Sequence, residues 1–191
     1  MKIRASLRIL GAVLIVSSIA AAVVLYQYTA WTEKQTELVT SQMEQIIPGR
    51  FPAVEDEYED VEMPVLQLNG QDYVCLLEVP SFSTALAVQS EWTPKNLLIN
   101  PCRYTGSPFD GTLIIGGSSG KGQFDFCAQI DLGEKVTITD MQGNCFEYSV
   151  KGIERWKELT EERLKAENLG LTLFTKESFS SSYIVVKCDM E

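Results

Sequence analysis

The cysteines and the missing histidine decide which covalent chemistry this chain can perform. Five cysteines are spread through 191 residues, and there is no histidine. The odd number, the wide spacing and the lack of a Cys-x-x-Cys pair argue against a disulfide framework and a zinc site, so we expect buried thiols and neither metal nor cofactor. Without histidine the chain lacks the usual general base at neutral pH. The cysteines are Cys75, Cys102, Cys127, Cys145 and Cys188.

The charge of the chain is unevenly distributed. The formal net charge is -10, but three of the 16 bases, Lys2, Arg4 and Arg8, precede the first acid, Glu33. The remaining chain carries all 26 acids, and such a surface repels phosphate backbones. We therefore expect no nucleic-acid partner. A hydrophobic content of 45% is enough to build the core of one folded domain.

The N-terminal segment predicts a membrane anchor. An apolar run begins at Ile9, and no charge appears in residues 9–32, which leaves the ~20 residues that a spanning helix needs. All nearby bases precede this run, so the positive-inside rule places residues 1–8 in the cytoplasm, a signal anchor at 9–31 and the remaining chain outside the cell membrane. A cleaved signal peptide, ending near Ala20-Ala21-Ala22, is the alternative, but the run is long for one.

Residues 32–65 are predicted to form an acidic extracytoplasmic tether. The segment is polar and contains several prolines, and its run at 55–60 places five like charges side by side. Such charges cannot pack together, so we expect the run to be solvated, with cation or partner binding as the alternative. A short helix is expected near residues 36–47.

Residues 66–191 are predicted to form a mainly-β domain. Short runs rich in β-forming residues alternate with turn residues, which is typical of a barrel or sandwich. Residues 140–144 predict a hairpin loop. One helix is expected within residues 156–169, with Thr160 as N-cap and Gly170 after its end. The predicted strands are 73–79, 85–88, 112–115, 135–139, 146–153, 171–175 and 183–187.

Five short motifs follow one another in this domain. They are Gln71-Asp72-Tyr73, Leu77-Glu78-Val79-Pro80, Asn100-Pro101-Cys102-Arg103-Tyr104-Thr105-Gly106-Ser107, Gly111-Thr112-Leu113-Ile114-Ile115-Gly116 and Leu171-Thr172-Leu173-Phe174-Thr175. This ordered series resembles the sortase family of Gram-positive transpeptidases over about residues 68–188. The resemblance implies an eight-stranded β-barrel with short helices, which cradles an extended sorting-signal peptide.

The resemblance breaks at the positions where sortases place their catalytic groups. Sortases use a cysteine nucleophile, a histidine acid and base, and an arginine that positions the substrate and stabilises the oxyanion. Gly117 stands where the resemblance places the histidine, Lys176 replaces the cysteine, and Tyr183 replaces the arginine, with Ser182 as the alternative for a register one residue earlier. The resemblance therefore implies a degenerate member with no intact catalytic residue.

A Ser-Lys pair is the one replacement chemistry that the sequence offers near these positions. A desolvated lysine can act as a base at neutral pH, so Lys176 with Ser118 or Ser119 would form such a pair. The adjacent Glu177 and the negative charge of the domain oppose the low lysine pKa that this requires. The glycine-rich stretch at 116–122 lacks the spacing of a phosphate-binding loop, and we expect a flexible loop beside the groove.

Three functions remain open at this level. We expect a catalytically inactive, membrane-anchored sortase homologue that binds a sorting-signal-like peptide, a surface protein or an active sortase. The first alternative is an active transpeptidase that attaches surface proteins to the cell wall with displaced catalytic residues. The second alternative is a purely structural envelope domain, whose groove would be filled by its own side chains.

Overall fold

The computed structural model describes residues 2–47, 49–52, 62–178 and 180–191, with side chains from residue 13 onward apart from residues 29, 32 and 33. The acidic run at 55–60 lies outside the described residues. Three α-helices are present among them, α1 (Lys2–Ile46), α2 (Pro94–Leu97) and α3 (Glu161–Ala166), together with two short 3-10 helices at Pro80–Phe82 and Phe124–Ala128. The strands are β1 (Phe51–Pro52), β2 (Leu66–Leu68), β3 (Gln71–Val79), β4 (Thr84–Gln89), β5 (Cys102–Thr105), β6 (Leu113–Gly117), β7 (Lys135–Asp140), β8 (Asn144–Trp156), β9 (Gly170–Lys176) and β10 (Tyr183–Met190).

Eight of these strands close into a barrel, which confirms the expected mainly-β architecture. The ring runs β3-β4-β5-β6-β9-β10-β8-β7 and returns from β7 to β3, while the short strands β1 and β2 attach to β8 and β3. β6 and β9 run parallel, whereas β9 and β10 run antiparallel. β5 was not predicted, because its four residues include Arg103 and offer little apolar alternation.

Alternation of side chains separates a barrel interior from an outer layer. Leu113 and Ile115 of β6, and Leu173 of β9, belong to the large interior cluster. Their neighbours in sequence, Ile114 and Phe174, join a second cluster on the outer face, together with residues of β8, α3 and β10. The strands of this part of the barrel are therefore covered on both sides.

Helix α1 is continuous from the predicted anchor into the predicted tether. Thr36, Val39, Thr40 and Met43 have the spacing of one helix face, and this face lies against the barrel. Thr40 Oγ1 accepts a hydrogen bond from the Ala87 amide at 3.3 Å. The segment expected as a short separate helix at 36–47 is thus the end of α1 and packs on the domain.

The anchor itself remains a prediction for residues 9–31. Within the described part of the chain, no helix combines the length and apolar character needed to cross a membrane.

Two local predictions about the β7–β8 and β8–β9 connections are confirmed. The Asp140 carboxylate accepts hydrogen bonds from the Gln142 and Asn144 amides, each at 2.8 Å, which forms the expected hairpin loop. Thr160 Oγ1 accepts from the Arg163 amide at 3.3 Å and caps α3. Gly170 does not end this helix directly; it begins β9 four residues after the end of α3.

Candidate functional site

The three positions singled out from the sequence lie together at one end of the barrel. Gly117 at the end of β6 pairs with Thr175 of β9, the neighbour of Lys176. Lys176 in turn pairs with Tyr183 at the start of β10. Ser182, the alternative to Tyr183, precedes β10 and accepts the Glu177 amide through its carbonyl. Residues up to 66 positions apart in sequence are therefore brought close together, and we call Gly117, Lys176 and Tyr183 the candidate site.

Lys176 and Tyr183 occupy the outer face, but they do not form a nucleophile with its base. Lys176 is exposed, and no hydrogen bond or ion pair joins it to another described residue. Tyr183 is half-buried beside it. Arg155, which pairs with Ile184 on β10, donates to Glu177 at 3.2 Å. The guanidinium of Arg155 is thus already engaged next to the candidate site.

Gly117 points away from the outer face, so a side chain at this position would enter the barrel interior. A Cβ atom on Gly117 would lie 2.5 Å from the ring of Phe124, and this ring is fully buried in the barrel interior. The residue has the same strand parity as the interior residues Leu113 and Ile115. Gly117 therefore cannot direct a side chain toward the exposed Lys176.

The Gly116 backbone is covered by aromatic rings on the outer face. A Cβ atom there would lie 2.2 Å from Trp92 and 2.6 Å from Phe174. The rings of Trp92, Tyr104 and Phe174 contact one another with centroid distances of 5.3–5.5 Å. The outer floor between β6 and β9 is filled by the protein's own side chains at this point, as the structural-domain alternative requires. The consecutive glycines Gly116 and Gly117 are the sequence signal for these close contacts with aromatic rings, which were not predicted.

The serines of the β6–β7 loop do not pair with Lys176. The Ser119 and Ser178 hydroxyls share a hydrogen bond of 2.9 Å, which joins this loop to the β9–β10 loop. The Ser118 hydroxyl accepts the Gly120 amide at 3.2 Å. The Ser-Lys pair considered from the sequence is therefore not assembled among the described residues.

The cysteines do not supply a nucleophile at this end of the barrel. Cys75, Cys102, Cys127 and Cys188 are buried, as predicted. Burial raises the pKa of Cys102 and of Cys188 to about 12, and it raises the pKa of Cys75 and Cys127 further. The half-buried Cys145 also has a raised pKa, chiefly from burial. All five thiols are kept protonated at neutral pH, whereas nucleophilic attack requires a thiolate.

A charged cluster occupies the outer face beside α3, further along the same strands. Lys187 of β10 donates to Glu154 at 2.7 Å and also to Glu167. The Trp156 ring lies under Arg163 at 3.8 Å, and its indole donates to Glu154 at 2.7 Å. We call these residues, Lys187, Glu154, Glu167, Trp156 and Arg163, the α3 cluster. Its charges are mutually satisfied, and no three Cys, Asp or Glu side chains within the described residues are grouped as metal ligands.

Comparison with known proteins identifies the fold. No family model and no curated protein matches the sequence. Sortase A of Listeria monocytogenes matches with a TM-score of 0.54 and 20% identity, over 62% of this chain and 87% of that one. Sortase C1 of Streptococcus agalactiae matches with a TM-score of 0.55 and 16% identity, over 65% of this chain and 70% of that one. Sortase C-1 of Actinomyces oris matches with a TM-score of 0.53 and 16% identity, over 85% and 98%. The chain therefore has a sortase-like fold.

Proposed function

We propose that this chain is a catalytically inactive sortase-like protein that binds a peptide or protein partner at the cell envelope. The carrying observation is the end of β9, where the outer face presents Lys176 opposite Tyr183 and no thiol. Acyl transfer needs an activated nucleophile, a general acid and base, and hydrogen-bond donors or a cation that stabilise the oxyanion. The buried cysteines, the unpaired lysine and the histidine-free sequence all argue against this chemistry.

A membrane-anchored position is part of this proposal. The part of α1 before Trp31 carries exposed apolar side chains, among them Val16 at 66% and Leu25 at 65% exposure, which suits contact with lipid. Thr36 already lies against the barrel, and five helical residues from the end of the predicted anchor correspond to about 8 Å. The barrel would then sit directly on the outer membrane surface of the cell rather than at the end of a long tether.

The test is a transfer assay with the full chain in detergent micelles. A sorting-signal peptide and an amine acceptor are incubated with the protein, and a competent sortase under the same conditions serves as positive control. We expect intact peptide and no covalent adduct by mass spectrometry. A cleaved or transferred peptide, or an acyl adduct that disappears in Lys176→Ala, would establish displaced catalysis and refute the proposal.

A purely structural role is the second candidate, because the aromatic rings fill the floor above Gly116. It differs from the first candidate in predicting that no peptide binds elsewhere on the barrel. Peptide titration of the intact protein separates the two.

A further inference from the structure

A slot opens beside β5, on the side away from β6. β5 pairs with β6 along its length, but with β4 only through Cys102 and Gln89. Beyond Cys102 the chain faces residues 90–93 instead of another strand. The two segments enclose an open cavity of about 550 Å³, with residues 90–93 on one wall and 103–106 on the other. The slot thus lies on the side of β5 that has no strand partner beyond Cys102.

Arg103 brings a positive charge with free donors into this slot. Its Nε atom donates to the Ser90 carbonyl at 3.3 Å, which fixes the half-buried side chain across the slot. The terminal guanidinium nitrogens make no hydrogen bond or ion pair to any residue that the structure describes. A guanidinium held in this way can bind a carboxylate through two parallel hydrogen bonds.

The aromatic side of the slot is held in place before any ligand arrives. Trp92 and Tyr104 pack edge to face, at 5.5 Å and 82°. Both rings also contact Phe174, which is 2% exposed. Rings fixed by neighbours lose little conformational freedom when a ligand packs against them, so they suit the apolar side chains of an extended peptide.

We infer that the slot between residues 90–93 and 103–106 binds an extended peptide segment that carries a carboxylate, with Arg103 as its anchor. The peptide lies along the unpaired side of β5, where main-chain hydrogen bonds supply affinity that does not depend on sequence. Arg103 selects the carboxylate, and Trp92 and Tyr104 contact the preceding side chains. This inference deepens the proposed binding role, on which it rests, and locates it between β5 and residues 90–93, where the Trp92 ring also covers Gly116 beside the candidate site.

Glu91 makes the charge requirement testable. This residue is exposed and lines the same slot, so its carboxylate repels the carboxylate of a bound peptide. Replacing it with glutamine removes this repulsion and keeps the shape of the side chain. Carboxylate binding should therefore tighten in Glu91→Gln and weaken in Arg103→Gln.

The experiment titrates the full chain in detergent micelles with three peptides based on the sequence acetyl-Ser-Val-Thr-Val-Ala. One has a free C-terminal carboxylate, one is amidated, and one is amidated with glutamate in place of the alanine. The indole N–H signal of Trp92, assigned with Trp92→Phe, reports binding by NMR. We expect at least one carboxylate peptide to bind about tenfold more tightly than the neutral peptide, and the tighter of the two identifies a terminal or a side-chain carboxylate.

Variants separate this site from general attraction to the protein. Arg103→Gln should lower the affinity for the carboxylate peptide about tenfold, or about 1.4 kcal/mol. Lys151→Gln removes an exposed cation on β8 and should leave the affinity unchanged. Equal binding of all three peptides, no binding at all, or equal losses in the two variants would overturn the inference. Equal binding of the three peptides, or equal losses in the two variants, refutes this site and leaves the proposed function standing, whereas peptide transfer refutes the proposed function. Absence of any binding refutes this site and favours the structural role.

Discussion

Two lysines on the outer face of adjacent strands have opposite environments. Lys187 of β10 is 8% exposed, donates to two carboxylates and lies near the Trp156 ring. Lys176 of β9 is exposed and unpaired within the described residues. Both lysines are in register in the β9–β10 ladder, where Lys176 pairs with Tyr183 and Lys187 pairs with Thr172. The difference comes from the neighbouring elements. The α3 cluster pairs Lys187 with two carboxylates, whereas Lys176 at the candidate site is accessible to solvent.

The carboxylates explain this difference. The segment after α3 delivers Glu167 to Lys187, and β8 delivers Glu154. Glu177 follows Lys176 directly in sequence, but it pairs with Arg155. A conventional reading of charge pairs from sequence proximity would have joined Lys176 to Glu177.

Gly117→His should be the most destabilising change, because the new Cβ atom meets the Phe124 ring at 2.5 Å. Phe124 is fully buried and cannot move aside, so we expect a loss of about 3 kcal/mol in unfolding free energy, measured with urea. Ser118→His is the matched control, since the same side chain enters a half-buried loop position, and it should cost less than about 0.5 kcal/mol. Equal losses in the two variants would show that Gly117 does not face the interior.

Lys187→Met should lower the unfolding free energy by about 2 kcal/mol. The substitution keeps the length of the side chain but leaves Glu154 and Glu167 without their shared cation. Both carboxylates retain partial access to water, which limits the loss. Urea unfolding at neutral pH measures the effect. A change below about 0.5 kcal/mol would mean that the α3 cluster contributes no more than an ordinary surface contact.

The α3 cluster should also lose stability in acid. Hydrogen bonds from Lys187, and then from Trp156, lower the pKa of Glu154 below its ordinary 4.5. Hydrogen bonds from Lys187, and then from Arg163, lower the pKa of Glu167 in the same way. Their contribution is complete above about pH 4.5 and disappears as the pH falls through the lower folded-state values.

The Lys187→Met variant isolates this acid effect. The difference in urea midpoint between the wild type and the variant should shrink as the pH falls from 7 to 3, because other titrating groups cancel in the comparison. A difference that stays constant over this range would exclude Glu154 and Glu167 as its source.

Lys176→Met should have the smallest effect, below about 0.5 kcal/mol in the same unfolding measurement. An exposed side chain without a partner contributes little to stability, so this variant is the direct counterpart of Lys187→Met. A loss comparable to that of Lys187→Met would reveal a structural contact of Lys176 and refute the difference between the two lysines.

Local and topological features were predicted to different extents. Seven of the eight barrel strands, the Asp140 hairpin and the Thr160 cap follow from alternation, turn chemistry and capping, which act over a few residues. β5 was missed because its strand conformation depends on pairing with β6 rather than on its own composition. The docking of α1 was missed because its four contact residues are separated from their partner strands by a polar segment.

The candidate site shows the same division. The sequence assigned Lys176 and Tyr183 to the cysteine and arginine positions of the motifs, and only the structure shows that β9 and β10 pair these two residues. The sequence assigned Gly117 to the histidine position, whereas the interior direction of this residue could only be seen from the ring of Phe124. Successive side chains of a strand point to opposite faces, so a shift of one position moves a side chain from the interior to the outer face.

By itself, the sequence determined the chemical inventory and the β-rich pattern: no histidine anywhere, and neither cysteine nor arginine at Lys176 and Tyr183. Composition and short-range patterns depend only on neighbouring residues. The tertiary structure alone decided which lysine is paired, which thiols are buried and where Arg103 faces an open slot. These properties depend on which distant segments meet across the barrel, because burial and charge pairing are set by neighbours in space.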